Sequence, residues 1–349
     1  MGASLNYCCI RKVTFSMKQV EVINYYTNKI VESGGVQSEV SSTIAKAAAE
    51  NIVRTFKNKQ FLIVKMYVDG CVPAIGFYNM FSGVDVSVPD YLPALEVMEI
   101  NRDVMFLAAR NEILLNIVEH VAFAYDMDND GKVMRLVGNF KGGGKSKLEN
   151  EESNVELSSH SGLELGPHTE APYWCNNKHD NKHSPAPSAL ILTALWNPLD
   201  EVTTIIPMDI ILQSLPEEYL DALALKYFDF SRSDSFSDGV GESGSCISIL
   251  DFDENKKYSI KYNSYRFTVN ENSPEIAKKA LEYLNCFISK ANVSTISLSS
   301  TSAVIINNRI ALHCRDVVED NRRLLVRLFG YSKNSEYINI SNCPLIVKG

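Results

Sequence analysis

The sequence contains no Cys-x-x-Cys pair. Its eight cysteines are scattered through positions 8, 9, 71, 175, 246, 286, 314 and 343. That excludes zinc-ribbon and thioredoxin-like chemistry, and unpaired spacing of this kind fits thiols kept reduced in a cytoplasm. No apolar run reaches the ~18 residues needed to span a bilayer. The N-terminal MGASLNYCCIRK lacks the apolar core of a secretory signal, and Met17 could serve as a start that leaves residues 1–16 incidental. Nor is there a basic tract: 34 Lys+Arg against 42 Asp+Glu leaves a net charge of −8, the wrong field for nucleic acid or an anionic membrane. No internal repeat is present.

What is there is ordinary globular composition, 45% hydrophobic and 22% charged over 349 residues, enough chain for a large core. The first 125 residues read as mainly helical. Residues 17–32, 36–56 and 102–125 carry apolar positions at helical spacing, interrupted by FLIVKMYV (61–68), which reads as a short buried strand. From 126 to 335 the character changes to short strand-like runs: 132–138, 188–196, 245–252, 258–263, 303–307 and 324–331. One helix opens at Ser273-Pro274, and 336–349 is a tail. Residues 141–162 and 231–244 are glycine-, serine- and charge-rich, as expected of lids that close over a substrate. Several short strands with long loops predict a β-sandwich or barrel core buttressed by helices in a single domain.

Three motifs fail on their chemistry. Asp126-Met-Asp128-Asn-Asp130-Gly131 opens like a calcium loop but has Val137 where a bidentate Glu is required. Gly142-Gly-Gly-Lys145-Ser146 lacks the first glycine and the following helix of a phosphate loop. His179 and His183 stand in NNKHDNKH, which has no apolar face to make a helix, so a polar surface loop is the expectation.

One constellation survives. In LGPHTEAPYW, His168-Thr-Glu170 on a strand would present an imidazole and a carboxylate on one face. A late histidine, His313, completes two nitrogens and one carboxylate, a set that leaves three open positions and suits non-haem Fe(II). Arg327 follows fourteen residues later on another strand, expected to pair with the His313 strand, where it can fork both oxygens of a dicarboxylate's far end. Thr203 or Thr204, after SALILTALWN, can add a hydroxyl.

With HTE, the TT pair, KYNSYRF (261–267) and NNRIALHCR followed by R-x-x-x-R (323–327), residues 130–330 resemble the clavaminate synthase-like iron/2-oxoglutarate oxygenases. That branch includes asparagine oxygenase and the arginine β-hydroxylases. The resemblance implies an α+β chain with a double-stranded β-helix (jelly-roll, cupin-like) core and flanking helices. It implies Fe(2+), with 2-oxoglutarate and O₂ as cosubstrates. His168, Glu170 and His313 would be the ligands, Arg327 with Thr203 or Thr204 the cosubstrate binders, and the β-carbon of an amino-acid-like substrate the point of hydroxylation. Desaturation or cyclisation, a zinc-binding member and a non-catalytic member are the alternatives within the fold. There are departures. Cys314 replaces a common glycine, Asn263 stands where many relatives have Asp, and Tyr331 stands where relatives acting on free amino acids carry a second arginine. Tyr173, Trp174, Asn263, Arg266 and Tyr331 are the substrate-side candidates. The expected substrate is amino-acid-like, with its carboxylate masked as an amide, ester or carrier thioester.

Overall fold

Ser16 and Gln19 open the first helix by capping each other: the Ser16 amide donates to Gln19 Oε1 at 2.9 Å, and Ser16 Oγ accepts from the Gln19 amide. That helix, Met17–Glu32, buries Val20, Ile23, Thr27 and Ile30 at three- and four-residue spacing. Ser41–Val53 packs an alanine-rich stripe (Ala45, Ala48, Ala49) beside it. Arg102–Ile117 is buried on nearly every side because it lies between those helices and a sheet. The computed structural model describes residues 9–81, 83–141, 159–170, 178–231, 244–252 and 257–349. Both expected lids fall largely outside them. Among the described residues no helix is long and apolar enough to cross a membrane.

Two expectations for this half are corrected. FLIVKMYV belongs to a helix, Asn58–Val68, that buries Ile63, Val64 and Tyr67 while Phe61 and Leu62 stay exposed. The period that matters there is helical, and β-branched content misleads over so short a run. The pattern over 102–125 divides: the helix stops at Ile117, Glu119 takes a left-handed φ of 59°, and His120–Tyr125 is a strand.

The N-terminal part is therefore not a helical annex. Ile10–Thr14, Ala74–Tyr78 and His120–Tyr125 are three strands of the main sheet. In spatial order that sheet runs Ile10–Thr14, Ala74–Tyr78, Ala303–Asn307, Ala189–Trp196, Leu324–Ser332, His120–Tyr125, Leu345–Val347, Asn339–Asn342, with Met134–Gly138 also on Leu324–Ser332. Residues 9–16 are accordingly integral: Cys9, Ile10, Val13 and Phe15 are buried. The tail 336–349 contributes the last two strands as a hairpin.

A second sheet of four strands, ordered Ser294–Ser297, Val202–Pro207, Ala311–Arg315, Leu165–His168, faces the first. Ile205, Ile296, Leu298 and Ala311 from it meet Leu190, Leu192, Val304, Leu325 and Phe329 from the main sheet in one apolar layer. Helices Asp209–Ser214, Glu217–Ala224 and Glu275–Ser289 cover its outer side through Ile206 and Leu312. The helical layer described above covers the outer side of the main sheet.

Glu112 is buried in that helical layer and accepts a hydrogen bond from Ser41 Oγ. Burial pushes its carboxyl up to about 7, against the smaller opposing pull of Ser41. Unfolded, Glu112 ionises near 4.5, so between about pH 4.5 and 7 the folded chain holds a proton that the unfolded chain has lost. Stability is therefore full below that window and falls as pH rises through it, by roughly 3 kcal/mol. Glu112→Gln should flatten this part of the melting-temperature profile; an unchanged slope would show that Glu112 does not titrate there.

Candidate metal centre

His168 ends the strand Leu165–His168, and His313 lies mid-strand in Ala311–Arg315. These strands are antiparallel neighbours with His313 opposite His168, which sets the two rings 4.2 Å apart. Glu170 Oε1 stands 3.6 Å from His313 Nε2, and one donor atom from each of the three residues lies within 4.8 Å of the others. Among the described residues this is the only such group of metal-capable side chains. His168 Nδ1 is 2.7 Å from the Gly166 carbonyl, so it carries the ring proton and leaves Nε2 as a lone-pair donor.

Protonation suits ligation. Burial, reinforced by His313, pushes the His168 imidazolium down to about 3, so the ring is neutral. Burial alone would raise the Glu170 carboxyl, but Arg327 and the two histidines hold it well below the usual carboxylate range. Two imidazoles and one carboxylate, with no thiolate in the set, form a borderline-hard N/O site with room for further ligands, which fits Fe(II). Cys314, beside His313, packs on the helix-covered side of its sheet.

Glu170 does not ride on the strand, as the H-x-E spacing suggested: the ladder stops at His168. Asn308, in the turn between Ala303–Asn307 and Ala311–Arg315, takes over. Its buried side chain accepts from the Glu170 amide at 2.8 Å and donates to the Glu170 carbonyl at 3.1 Å and the Pro187 carbonyl at 2.9 Å. One amide thus replaces a missing strand partner. The other edge of the ligand segment is held by KYNSYRF. Thr169 N donates to the Tyr262 carbonyl (2.8 Å), Ser264 N to the Pro167 carbonyl (3.0 Å), and Asn263 bridges His168. The approach is close enough that a Cβ on Gly166 would collide with Ser264 Oγ.

Asn308 was missed in the sequence; its one signal is its place in a polar turn five residues before His313. Asn308→Ala should weaken metal affinity by about 10–100-fold, the usual cost of losing an outer-shell partner. Calorimetric Mn(II) titration measures it, and unchanged affinity would make Asn308 a turn residue only.

Arg327 is brought to the site by the other sheet, not by a strand pairing with Ala311–Arg315. Leu324–Ser332 pairs with Ala189–Trp196 and Met134–Gly138, and residues 316–323 carry the chain across from one sheet to the other. Arg327 is buried, donates from Nη1 to Glu170 Oε1 at 2.7 Å and lies over the Phe329 ring at 4.2 Å. The threonines separate by register. His313 faces Ile205 and Cys314 faces Thr204, so Thr203 shares the inner face with His313 and Thr204 the outer one with Cys314.

On the substrate side, Tyr331 is buried in a stack with Phe123 (3.7 Å) and Tyr337 (5.2 Å), and its hydroxyl donates to the Pro185 carbonyl at 2.5 Å. Asn263 Oδ1 accepts from the Tyr265 amide at 3.0 Å, closing its own turn. Arg266 is half-buried in the same turn. Tyr173 and Trp174 lie outside the described residues.

No family model matches the sequence, and no curated protein matches it. Solved structures do. The non-haem iron oxygenase OrfP, in complex with Fe, succinate and (3S)-hydroxy-L-Arg, superposes with a TM-score of 0.68 at 16% identity, over 92% of this chain and 94% of that one. Asparagine oxygenase, in complex with Fe(II), 2S,3S-3-hydroxyasparagine and succinate, gives 0.68 at 17% identity over 91% and 92%. OrfP with Fe and alpha-ketoglutaric acid gives 0.67 at 16% over 91% and 93%. The chain has the fold of these non-haem iron oxygenases.

Proposed function

We propose that this chain is a non-haem Fe(II)/2-oxoglutarate oxygenase that hydroxylates an unactivated carbon, the β-carbon, of an amino-acid-like small molecule. The observation that carries it is the meeting of three clustered donor atoms with Arg327, a fork-shaped cation touching the ligand carboxylate from the facing sheet. The facing sheets would be the two halves of a double-stranded β-helix within one domain. When bound, iron would activate O₂ as the oxidant, with 2-oxoglutarate giving two electrons as it is decarboxylated to succinate and CO₂ and the substrate C–H bond giving the other two.

The residues' work is binding and placement. His168, Glu170 and His313 would hold the metal, Arg327 the far carboxylate of 2-oxoglutarate, and Thr203 would add a hydroxyl from the same inner face. The apolar layer around Leu325 and Phe329 keeps water away from a reactive centre. Hydroxylated amino acids occupy OrfP and asparagine oxygenase, and they support an amino-acid-like substrate here. A zinc hydrolase built on the same donors would have no use for Arg327. Glu170 supplies a carboxylate where a halogenase would need the position for halide.

The test is oxygen-dependent succinate release from 2-oxoglutarate by the Fe(II)-loaded chain, screened over amino acids and their derivatives. Release that requires iron and is accelerated by an amino-acid-like compound is expected. Its absence across the screen, with hydrolysis by the zinc-loaded chain, would overturn the proposal. Detection of an alkene or a new ring in place of an alcohol would instead favour desaturation or cyclisation.

A further inference from the structure

A column of aromatic rings leads away from the metal donors, and the proposed function has no use for its three phenol groups. Phe329 lies 4.2 Å from the Arg327 guanidinium, which itself touches Glu170. From Phe329 the ring centroids step 6.0 Å to Phe123, then 3.7 Å to Tyr331 and 5.2 Å to Tyr337. Tyr125 stands beside them, 5.1 Å from Phe123 and 6.3 Å from Phe329. The pairing of His120–Tyr125 with Leu324–Ser332 sets Phe123 opposite Phe329 and so builds the inner half. Phe123, Tyr125 and Tyr331 are buried, whereas Tyr337 is half-buried. With Val121, His179 and Lys333, Tyr337 lines a surface cavity of about 380 Å³. The column thus runs from the metal donors to solvent.

Packing accounts for the rings but not for the hydroxyls. Phenylalanine at 125 or 331 would fill the same space, whereas a buried phenol must be given an acceptor. Here two phenols converge on one. Tyr125 and Tyr331 both donate to the Pro185 carbonyl, at 2.6 and 2.5 Å, with their oxygens 3.5 Å apart. What tyrosine has and phenylalanine lacks is a ring that gives up an electron readily. Rings in contact at these distances exchange an electron much faster than an enzyme turns over.

We propose that Tyr125, Tyr331 and Tyr337 form an electron relay that discharges the metal centre when 2-oxoglutarate is consumed with no substrate in place. This rests on the oxygenase function proposed above. O₂ takes four electrons in all; decarboxylation supplies two, and without a substrate C–H bond two more must come from elsewhere. With no outlet they are drawn from the side chains around the metal, which are damaged in the process. Through the column, electrons pass inward ring by ring, and the vacancy moves out to Tyr337, whose phenolic proton can pass to water. Two such passages, with two protons from solvent, reduce the remaining oxygen atom to water. A small hydroquinone-type reductant in solution restores Tyr337 after each passage. Two hydroquinones, each losing one electron and one proton, complete the balance.

The Fe(II)-loaded chain is mixed with 2-oxoglutarate and O₂, without substrate, frozen during turnover and read by electron paramagnetic resonance. A tyrosyl radical is expected, with a hyperfine pattern that narrows when the tyrosines are ring-deuterated. Hydroquinone should remove it while 2-oxoglutarate consumption continues. Tyr337→Phe keeps the ring stack, and a melting curve checks its fold; the radical should be lost. Tyr331→Phe should lose it as well, and Tyr125→Phe, expected to lower its yield, serves if that variant does not fold. Intact-mass spectrometry should show oxygen added to the Tyr337→Phe chain rising several-fold per 2-oxoglutarate consumed. A parent chain that consumes 2-oxoglutarate without forming a tyrosyl radical would overturn the proposal. So would a radical of unchanged yield in Tyr337→Phe, one that hydroquinone leaves in place, or self-oxidation that does not rise. A chain that consumes no 2-oxoglutarate under any condition would overturn the oxygenase function first, and this relay with it.

Discussion

His313→Ala should abolish stoichiometric Fe(II) binding and, with it, succinate release. His313 sits at the centre of the donor group, opposite His168 in the ladder and 3.6 Å from Glu170 Oε1. Removing an outer-shell partner of a metal ligand commonly costs 10–100-fold in affinity, so removing a ligand should exceed about 100-fold. Folding should survive: the position is held by backbone pairing to Leu165–His168 and Val202–Pro207, and alanine keeps that backbone. Equilibrium dialysis against Fe(II) under nitrogen, beside a melting curve, reads both. A folded variant that binds iron as the parent does would remove His313 from the metal centre.

Arg327→Leu has the next largest expected effect, and it separates two consequences. Truncating one side of a buried, hydrogen-bonded charge pair costs about 2–5 kcal/mol, so affinity for 2-oxoglutarate should drop by roughly 30- to 4,000-fold. The metal-free chain should also lose stability, because Glu170 is left buried without its cation. The sign follows from the depressed Glu170 carboxyl: its stabilisation is present above the unfolded carboxylate pKa and is lost as pH falls through the folded value. In Arg327→Leu that contribution disappears near neutral pH, and added Mn(II) should restore much of it by giving Glu170 a new partner. Isothermal titration with 2-oxoglutarate and melting with and without Mn(II) check the two parts. Intact cosubstrate affinity would make Arg327 a structural counter-ion and turn attention to Arg323, buried beside Glu201.

The donors, the arginine and the central strands Ala189–Trp196, Ala303–Asn307 and Leu324–Ser332 were legible because each is local. H-x-E spacing, a histidine in an apolar run and an arginine in LLVRLFG all announce themselves within ten residues. What was not legible depends on pairing over long sequence separations. FLIVKMYV has strand composition, yet it lies as a helix against the strands Ile10–Thr14 and Ala74–Tyr78. The spacing from His313 to Arg327 suggested neighbouring strands, whereas residues 316–323 carry the chain between sheets. Whether Thr203 or Thr204 faces inward is a matter of register, and a one-residue slip exchanges them. Asn308 left almost no trace, because an asparagine in a turn is commonplace until its amide is seen reading both backbone groups of Glu170.

The most direct measurement is an anaerobic titration of the metal-free chain with Fe(II), followed by 2-oxoglutarate. One iron per chain should bind. 2-Oxoglutarate should then bind tightly only to the iron-loaded form and strengthen iron binding in return, as linkage between contacting ligands requires. Iron that fails to bind, or 2-oxoglutarate that neither binds nor alters the affinity for iron, would contradict the assignment of His168, Glu170, His313 and Arg327 together.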